Sequence, residues 1–352
     1  MKLIHLNFGH PLRARQSGLS LVELMVAMAI GLLLLLGIST LVVQQNTTRN
    51  EMEKSSRQIE NGRYAMQLLH NDIQLAGFYG EYSPVSGVAM TTPNPCLTTG
   101  NLGWNNNAAA LSVPVPIFGF SGAGGDPTGC LPNYQPNTAV LVIRRVSTVF
   151  NPVASAVAGT TTFLQVSQCN AELILTPFVL GTGGFTLSQG NCMGPAPALA
   201  NLWPYIVRIY YVSSCSECGS DTIPTLKMLE FVGGRQLLVP LVEGIENMQF
   251  EYGIDNVAGL PAAGCVAGPW DGVPDIYTST PNAGQWQDVM TVRVHLLARN
   301  NDITADHTDA KSYNLGPAAP AFAPGGPFKR HVYSQLVRAV NHSGRREICF
   351  SP

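Results

Sequence analysis

An α+β fold is what this 352-residue chain predicts, and three stretches predict it. Leu24 to Thr48 carries no charged residue, Gln44 to Ala76 continues without proline, and beyond Glu81 the apolar spacing changes to period two with glycine and proline punctuation. The first two read as one long N-terminal helix. The third reads as an antiparallel β-sheet head with long loops.

About 25 helical residues at roughly 1.5 Å each exceed the ~30 Å of a bilayer's hydrocarbon core. The charge-free run can therefore span a membrane. Lys2, Arg13 and Arg15 precede it with no acid among residues 1 to 18. Positive charge stays on the cytoplasmic side, so everything after Val43 is expected outside the cytoplasm. A secretory signal peptide is the rival reading, but the run is too long for an h-region. Gln44, Gln45, Asn46, Thr47 and Thr48 also offer no small-residue cleavage signal.

Past the span, Met52, Ile59, Met66 and Ile73 recur every seven residues, with Leu69 and Ala76 between them. They predict one apolar stripe, covered by the chain's own sheet. A coiled-coil partner is the alternative, opposed by the short heptad run and by Gly62 on its seam. Gly77 and Gly80 supply the stop. From Leu19 to Ala76 an unbroken helix would measure about 87 Å.

Strands are expected at 138–146, 162–167, 172–176 (Glu172 to Thr176), 205–212, 226–232, 248–254 and 289–298, with a further one at 332–340. Between them lie loops at 84–137 and 255–287, long enough to need tethering. The eight cysteines all fall in this distal part, on the side where disulfides persist. Eight allow about 105 connectivities. The C-x-x-C of Cys215 and Cys218 reads as a loop disulfide, since neither a second zinc-ligand pair nor a strand leading into a redox-type helix accompanies it. Loop adjacency suggests Cys96 with Cys130, Cys169 with Cys192, and Cys265 with Cys349.

Chemistry beyond that is sparse. No H-E-x-x-H, phosphate-binding glycine loop or complete G-x-S-x-G is present, and the seven histidines have no ligand spacing, so neither an enzyme nor a cofactor is expected. Asp255, Asp271 and Asp275 are a calcium candidate, although turn chemistry explains WDGVPD without a metal. A net charge of −2 offers no basic field for nucleic acid. Only Arg144/Arg145 and Arg345/Arg346 suggest local basic patches.

Residues SGLSLVELMVAMAIGLLLL at 17–35 resemble the processing motif of type IV prepilins and type II secretion pseudopilins. The resemblance implies cleavage between Gly18 and Leu19 by a prepilin peptidase and methylation of the Leu19 amine. Leu19 stands where most members have Phe. The motif's acid is Glu23, about 7 Å below the helix start. It would pair with the Leu19 amine of a neighbouring subunit and set register, or else snorkel to the headgroups, since a carboxylate at mid-membrane costs about 2.5 to 3.5 kcal/mol.

A second resemblance covers the helix end and the head. IENGRYAMQLLHNDIQLAGFYG at 59–80, LKMLEFVGGRQLLVPLVEGIENMQFEYGID at 226–255 and WQDVMTVRVHLLARN at 286–300 are similar to the PilW family of minor type IV pilins. The implied organisation is a leader at 1–18, a transmembrane half-helix at 19–43, an amphipathic half at 44–80 and a β-rich periplasmic or extracellular head at 81–352. The implied function is a minor pilin in the priming or tip complex, supporting motility, adhesion or DNA uptake. Its partners would be other minor pilins, the major pilin, the prepilin peptidase, the inner-membrane assembly platform and the lipid bilayer. It would sit in the inner membrane as a single-pass protein with a cytoplasmic N-terminus, then in the pilus. The alternatives are a J-type pseudopilin of type II secretion and a tip adhesin or binding module.

Overall fold

The computed structural model describes residues 18–83, 88–153, 161–190, 192, 198–256, 272–317 and 321–344. The chain forms two compact units, Met1–Glu53 and Lys54–Pro352. In the first, helix α1 (Leu21–Leu75, 55 residues) begins at Leu21 and continues through Gly31 and Gly37 without a break. Its apolar side chains here are exposed all round: Leu21, Leu24, Met28, Leu32, Leu35 and Val43 are each more than half accessible. Such a segment has no protein core of its own to fill, and its length and composition suffice to cross a membrane.

In the second unit α1 changes character. It buries Gln58, Gly62, Ala65, Met66, Leu69, Asp72 and Ile73, a three-and-four spacing. The seven-residue stripe expected from sequence is half right. Met66 and Ile73 are buried, whereas Met52 is 68% and Ile59 44% exposed. An α-helix drifts about 20° per heptad against a strict seven-residue repeat, so the packed face runs 58–62–65–69–72 instead. Gly62 lies on that face because a Cβ there would overlap the ring of Tyr333. At the C-terminus Gly77 takes φ 75°, and its N–H passes to Arg144 O at 3.0 Å, handing the chain to the sheet.

The strands are β1 (Ala89–Thr91), β2 (Ser112–Pro114), β3 (Ile117–Phe120), β4 (Val140–Val146), β5 (Phe163–Val166), β6 (Phe178–Gly181), β7 (Leu202–Ser213), β8 (Thr225–Val232), β9 (Arg235–Glu243), β10 (Ile245–Ile254), β11 (Ile276–Thr278), β12 (Val289–Arg299) and β13 (Arg330–Arg338), with short helices α2 (Asn170–Leu175) and α3 (Val340–Ser343). β7 is the hub of a seven-stranded sheet, pairing antiparallel with β4 from Tyr205 to Tyr210, with β8 from Arg208 to Ser213 and with β5 at its start. A second antiparallel sheet has the order β11-β10-β12-β13. Ala139 N–H donates to Met248 O at 2.8 Å, linking the two sheets.

Leu69 and Ile73 of α1 share one core with Leu141, Tyr210, Met248 and Val294 from both sheets. On the opposite face of β4 and β7 a second, aromatic core holds Tyr79, Tyr82, Trp104, Phe178, Trp203 and Tyr205. Trp104 makes edge contacts with Tyr79 at 4.9 Å, Phe178 at 4.9 Å and Tyr205 at 5.8 Å between ring centroids.

Several elements depart from the sequence expectation, among them β6 (Phe178–Gly181), which lies outside every expected strand. Residues 172–176, expected as a strand, lie largely in α2. Cys169 O accepts the N–H of both Glu172 (3.0 Å) and Leu173 (2.9 Å), and the Glu172 carboxylate turns back to Ser167 Oγ, Ser188 N and Ser188 Oγ. Those five bonds need a helical turn. Strand β9 was unexpected because Pro240 cannot donate to a ladder. It is tolerated because β9 is an edge strand with a register shift opposite, between Leu226 and Lys227. The turn into β9, Gly233-Gly234 with φ 57° and 73°, suits a two-residue hairpin. Finally, the loops at 84–137 and 255–287 contain β1 to β3 and β11.

Candidate processing and assembly site

The first candidate site is the start of α1. Ser20 and Glu23 form a reciprocal capping box: Ser20 N–H donates to Glu23 Oε2 at 3.0 Å, and Glu23 N–H donates to Ser20 Oγ at 3.2 Å. Two of the helix's first free N–H groups are thereby satisfied, and the carboxylate faces the positive end of the helix dipole. Leu19 directly precedes the box and is 78% exposed, and nothing lies within 4 Å of a Cβ built at Gly18. The three residues read as the cleavage pair and the assembly acid, Gly18, Leu19 and Glu23, thus fall within six consecutive positions at the helix start. Ser20 went unread from sequence, although S-x-x-E before an apolar run is a capping-box signature.

Further along the span the hydroxyls satisfy themselves. Ser39 Oγ donates to Leu35 O at 2.7 Å and Thr40 Oγ1 to Gly37 O at 2.8 Å. In hydrocarbon a free donor would cost several kcal/mol, and this arrangement leaves none at either position.

The second unit has its own charged centre, where α1 meets the sheet. Asp72, 3% exposed, accepts from Arg145 Nε at 2.8 Å and Arg208 Nη1 at 3.0 Å through Oδ1, and from Tyr210 OH at 2.8 Å through Oδ2. Arg208 also pairs with Glu230 at 2.7 Å. Burial and then the Asp72 charge push the Tyr210 phenol well above its ordinary pKa. Burial opposes the Arg208 charge, but Asp72, Tyr210 and Glu230 together hold its pKa above the ordinary value. The arginine pair read as a local basic patch is therefore not one. Arg145 is held by Asp72, and Arg144, 1% exposed, donates to Val115 O at 3.2 Å and Pro93 O at 2.9 Å. Neither guanidinium is on the surface for nucleic acid to meet. Arg345 and Arg346 lie outside the described residues.

Disulfides join Cys96 to Cys130, Cys169 to Cys192 and Cys215 to Cys218, with Cα separations of 6.1, 5.3 and 5.0 Å. Cys265 and Cys349 lie outside the described residues, as does Asp271 of the calcium candidate. Of the other two acids, Asp255 Oδ2 accepts from Gly272 N at 2.8 Å and Asp275 Oδ2 from Asn256 N at 2.9 Å, two long-range bonds that tie residues 255–256 to 272–275. Among the described residues no group of three or more His, Cys, Asp or Glu side chains is placed to hold a metal ion.

Comparison with known families now adds to this geometry. Residues 13–39 match the family model described as prokaryotic N-terminal methylation motif, and residues 209–341 match that of type IV pilus-assembly protein W, PilW. The second match runs from β7 to α3 and takes in the whole β10–β13 sheet. No curated protein and no solved structure matches the chain. Over these two stretches the chain is similar to type IV pilus proteins, and the methylation motif at the start of an apolar helix long enough to cross a membrane points to membrane anchoring in a pilus system. More particularly, residues 209–341 are similar to type IV pilus-assembly protein W.

Proposed function

We propose that this chain is a minor pilin that joins the priming or tip complex of a type IV pilus. In this reading residues 1–18 are a leader, 19–43 the transmembrane half of the helix, 44–80 its amphipathic half, and 81–352 a periplasmic head that later becomes extracellular. A prepilin peptidase cuts between Gly18 and Leu19, the Leu19 amine is methylated, and Glu23 neutralises the amine of an adjoining subunit. Its partners are other minor pilins, the major pilin and the inner-membrane assembly platform.

The observation that carries this reading is the union, on one continuous helix, of an exposed charge-free apolar segment with its single acid at the capped start and a last third packed into a large head. An anchor alone would not need Glu23. A soluble head alone would not need the apolar segment.

Deleting the gene tests the proposal. Surface pili are expected to fall sharply in number and to return on complementation, and the tagged full chain is expected to co-purify with other minor pilins. Normal piliation together with loss of type II secretion would overturn the proposal in favour of a pseudopilin. Normal piliation with lost attachment would make the head a binding module.

A further inference from the structure

The C-x-x-C disulfide sits between β7 and β8, and its two sulfurs have unlike surroundings. Cys215 is buried and Cys218 exposed. Lys227, 4% exposed on β8, brings Nζ within 3.6 Å of Cys218 Sγ and donates to Ser216 O at 3.0 Å. Ser213 Oγ lies between the two sulfurs, 3.8 Å from Cys215 Sγ and 3.9 Å from Cys218 Sγ, and Ser214 Oγ donates to Cys215 Sγ at 3.8 Å. Asp221 fixes the loop by accepting N–H bonds from Ser216 at 2.8 Å, Glu217 at 2.7 Å and Ile223 at 3.0 Å. Among the described residues, no hydrogen bond from a lysine or arginine reaches Cys96, Cys130, Cys169 or Cys192.

We infer that Cys215–Cys218 is a thiol–disulfide exchange site that accepts electrons from a dithiol, while the other two disulfides among the described residues are structural. Three features carry this: an accessible sulfur to attack, hydroxyls waiting at the leaving sulfur, and an ammonium beside the sulfur that ends as the free thiolate. The first thiolate of the reductant attacks Cys218 Sγ. The bond to Cys215 breaks and its electron pair leaves on Cys215 Sγ, where the Ser213 and Ser214 hydroxyls meet the charge and a solvent proton neutralises it. The second thiolate of the reductant then attacks its partner sulfur in the mixed disulfide, and Cys218 departs as a thiolate beside Lys227. One dithiol is oxidised to a disulfide and one protein disulfide is reduced.

Electrostatics favour that end state. An adjacent cation lowers a thiol's pKa, and stabilising the reduced form makes the disulfide more oxidising. Burial holds the Lys227 ammonium below its ordinary pKa against the opposing charge of Asp221, and a neighbouring thiolate would offset that burial. The consequence reaches the helix. Ser216 Oγ donates to Glu243 Oε1 at 2.9 Å, and Glu243 O accepts from Asn61 of α1 at 3.1 Å, so the loop that opens on reduction is two contacts from the helix.

The test treats the full chain in detergent with graded dithiothreitol or graded glutathione, alkylates free thiols, and reads each cysteine by peptide mass spectrometry. Cys215 and Cys218 are expected to open at about tenfold lower dithiol than the other two pairs, a difference equivalent to about one pKa unit of thiolate stabilisation. Lys227→Met should erase most of that gap. Cys215→Ser leaves Cys218 as a free thiol whose alkylation rate against pH reports its pKa directly, without any change at Lys227. That pKa is expected below the ordinary value of about 8.5. Opening by glutathione at the same thiol equivalents would point to a small-molecule thiol as the source, and opening only by the dithiol to a dithiol protein. Reduction of all three disulfides at one reductant concentration, or a Cys218 pKa at or above the ordinary value, would overturn the inference.

Discussion

Replacing Asp72 with Ala is expected to cost the chain about 3 to 5 kcal/mol of unfolding free energy, because it strands the buried guanidinium of Arg145 without its carboxylate. Arg208 keeps Glu230 and suffers less. Tyr210 also loses its acceptor, and its hydroxyl stays buried. Asp72→Asn retains an acceptor at the same place and should lose less than Asp72→Ala. Urea unfolding of the full chain in detergent, followed by tryptophan fluorescence, measures both. A loss under about 1 kcal/mol for Asp72→Ala would mean that α1 is held by its apolar face alone. The substitution should leave membrane insertion unchanged, since Asp72 lies far along the helix from the charge-free segment.

The second large effect falls on assembly and separates two roles of one carboxylate. Glu23 closes the capping box with Ser20, and we propose that it also neutralises the Leu19 amine of a neighbour. Glu23→Ala removes both. Glu23→Gln keeps an acceptor that can still close a capping box, and removes only the charge. If the counter-charge governs, both variants should fall by about tenfold or more in co-purification with partner pilins, since an ammonium entering an apolar layer unpaired is costly. Insertion should be equal or better in both, because each removes the span's one acid. Full recovery by Glu23→Gln would instead assign the residue to helix capping, worth about 0.5 to 2 kcal/mol. Unchanged association in both would leave recruitment to the head.

Much of this architecture was legible in the sequence, and the reasons are particular. The anchor was read because a 25-residue run without charge has few other physical uses. Strands β4, β7, β10 and β12 were read because period-two alternation of Val, Ile, Leu and Tyr survives both edge and centre positions. Strand β9 was missed because Pro240 argues against any strand until a neighbour's register shift is known. The α2 segment was misread because Leu173, Ile174 and Leu175 look like strand, whereas the deciding contacts come from Ser167 and Ser188 around Glu172.

The charged centre of the head was the least legible part. Asp72 on the helix, Arg145 on β4 and Arg208 on β7 are 73, 63 and 136 residues apart pairwise in the chain, taking Asp72 with Arg145, Arg145 with Arg208 and Asp72 with Arg208. Each looks like a misplaced charge in an apolar run. Only the fold puts them within hydrogen-bonding distance, and that contact turns an apparent basic patch at Arg144 and Arg145 into a buried lock. Lys227 is a similar case: its place opposite Cys218 depends on the β7–β8 pairing, not on the C-x-x-C motif.

In the working protein the chain is expected to begin at a processed and methylated Leu19, two residues before α1. Mass spectrometry of the N-terminal peptide from native membranes tests it most directly. The predicted result is a peptide that starts at Leu19 and carries one added methyl group on its amine. A peptide retaining Met1, or a cut after Val43, would contradict the claim and with it the roles given to Gly18, Leu19 and Glu23.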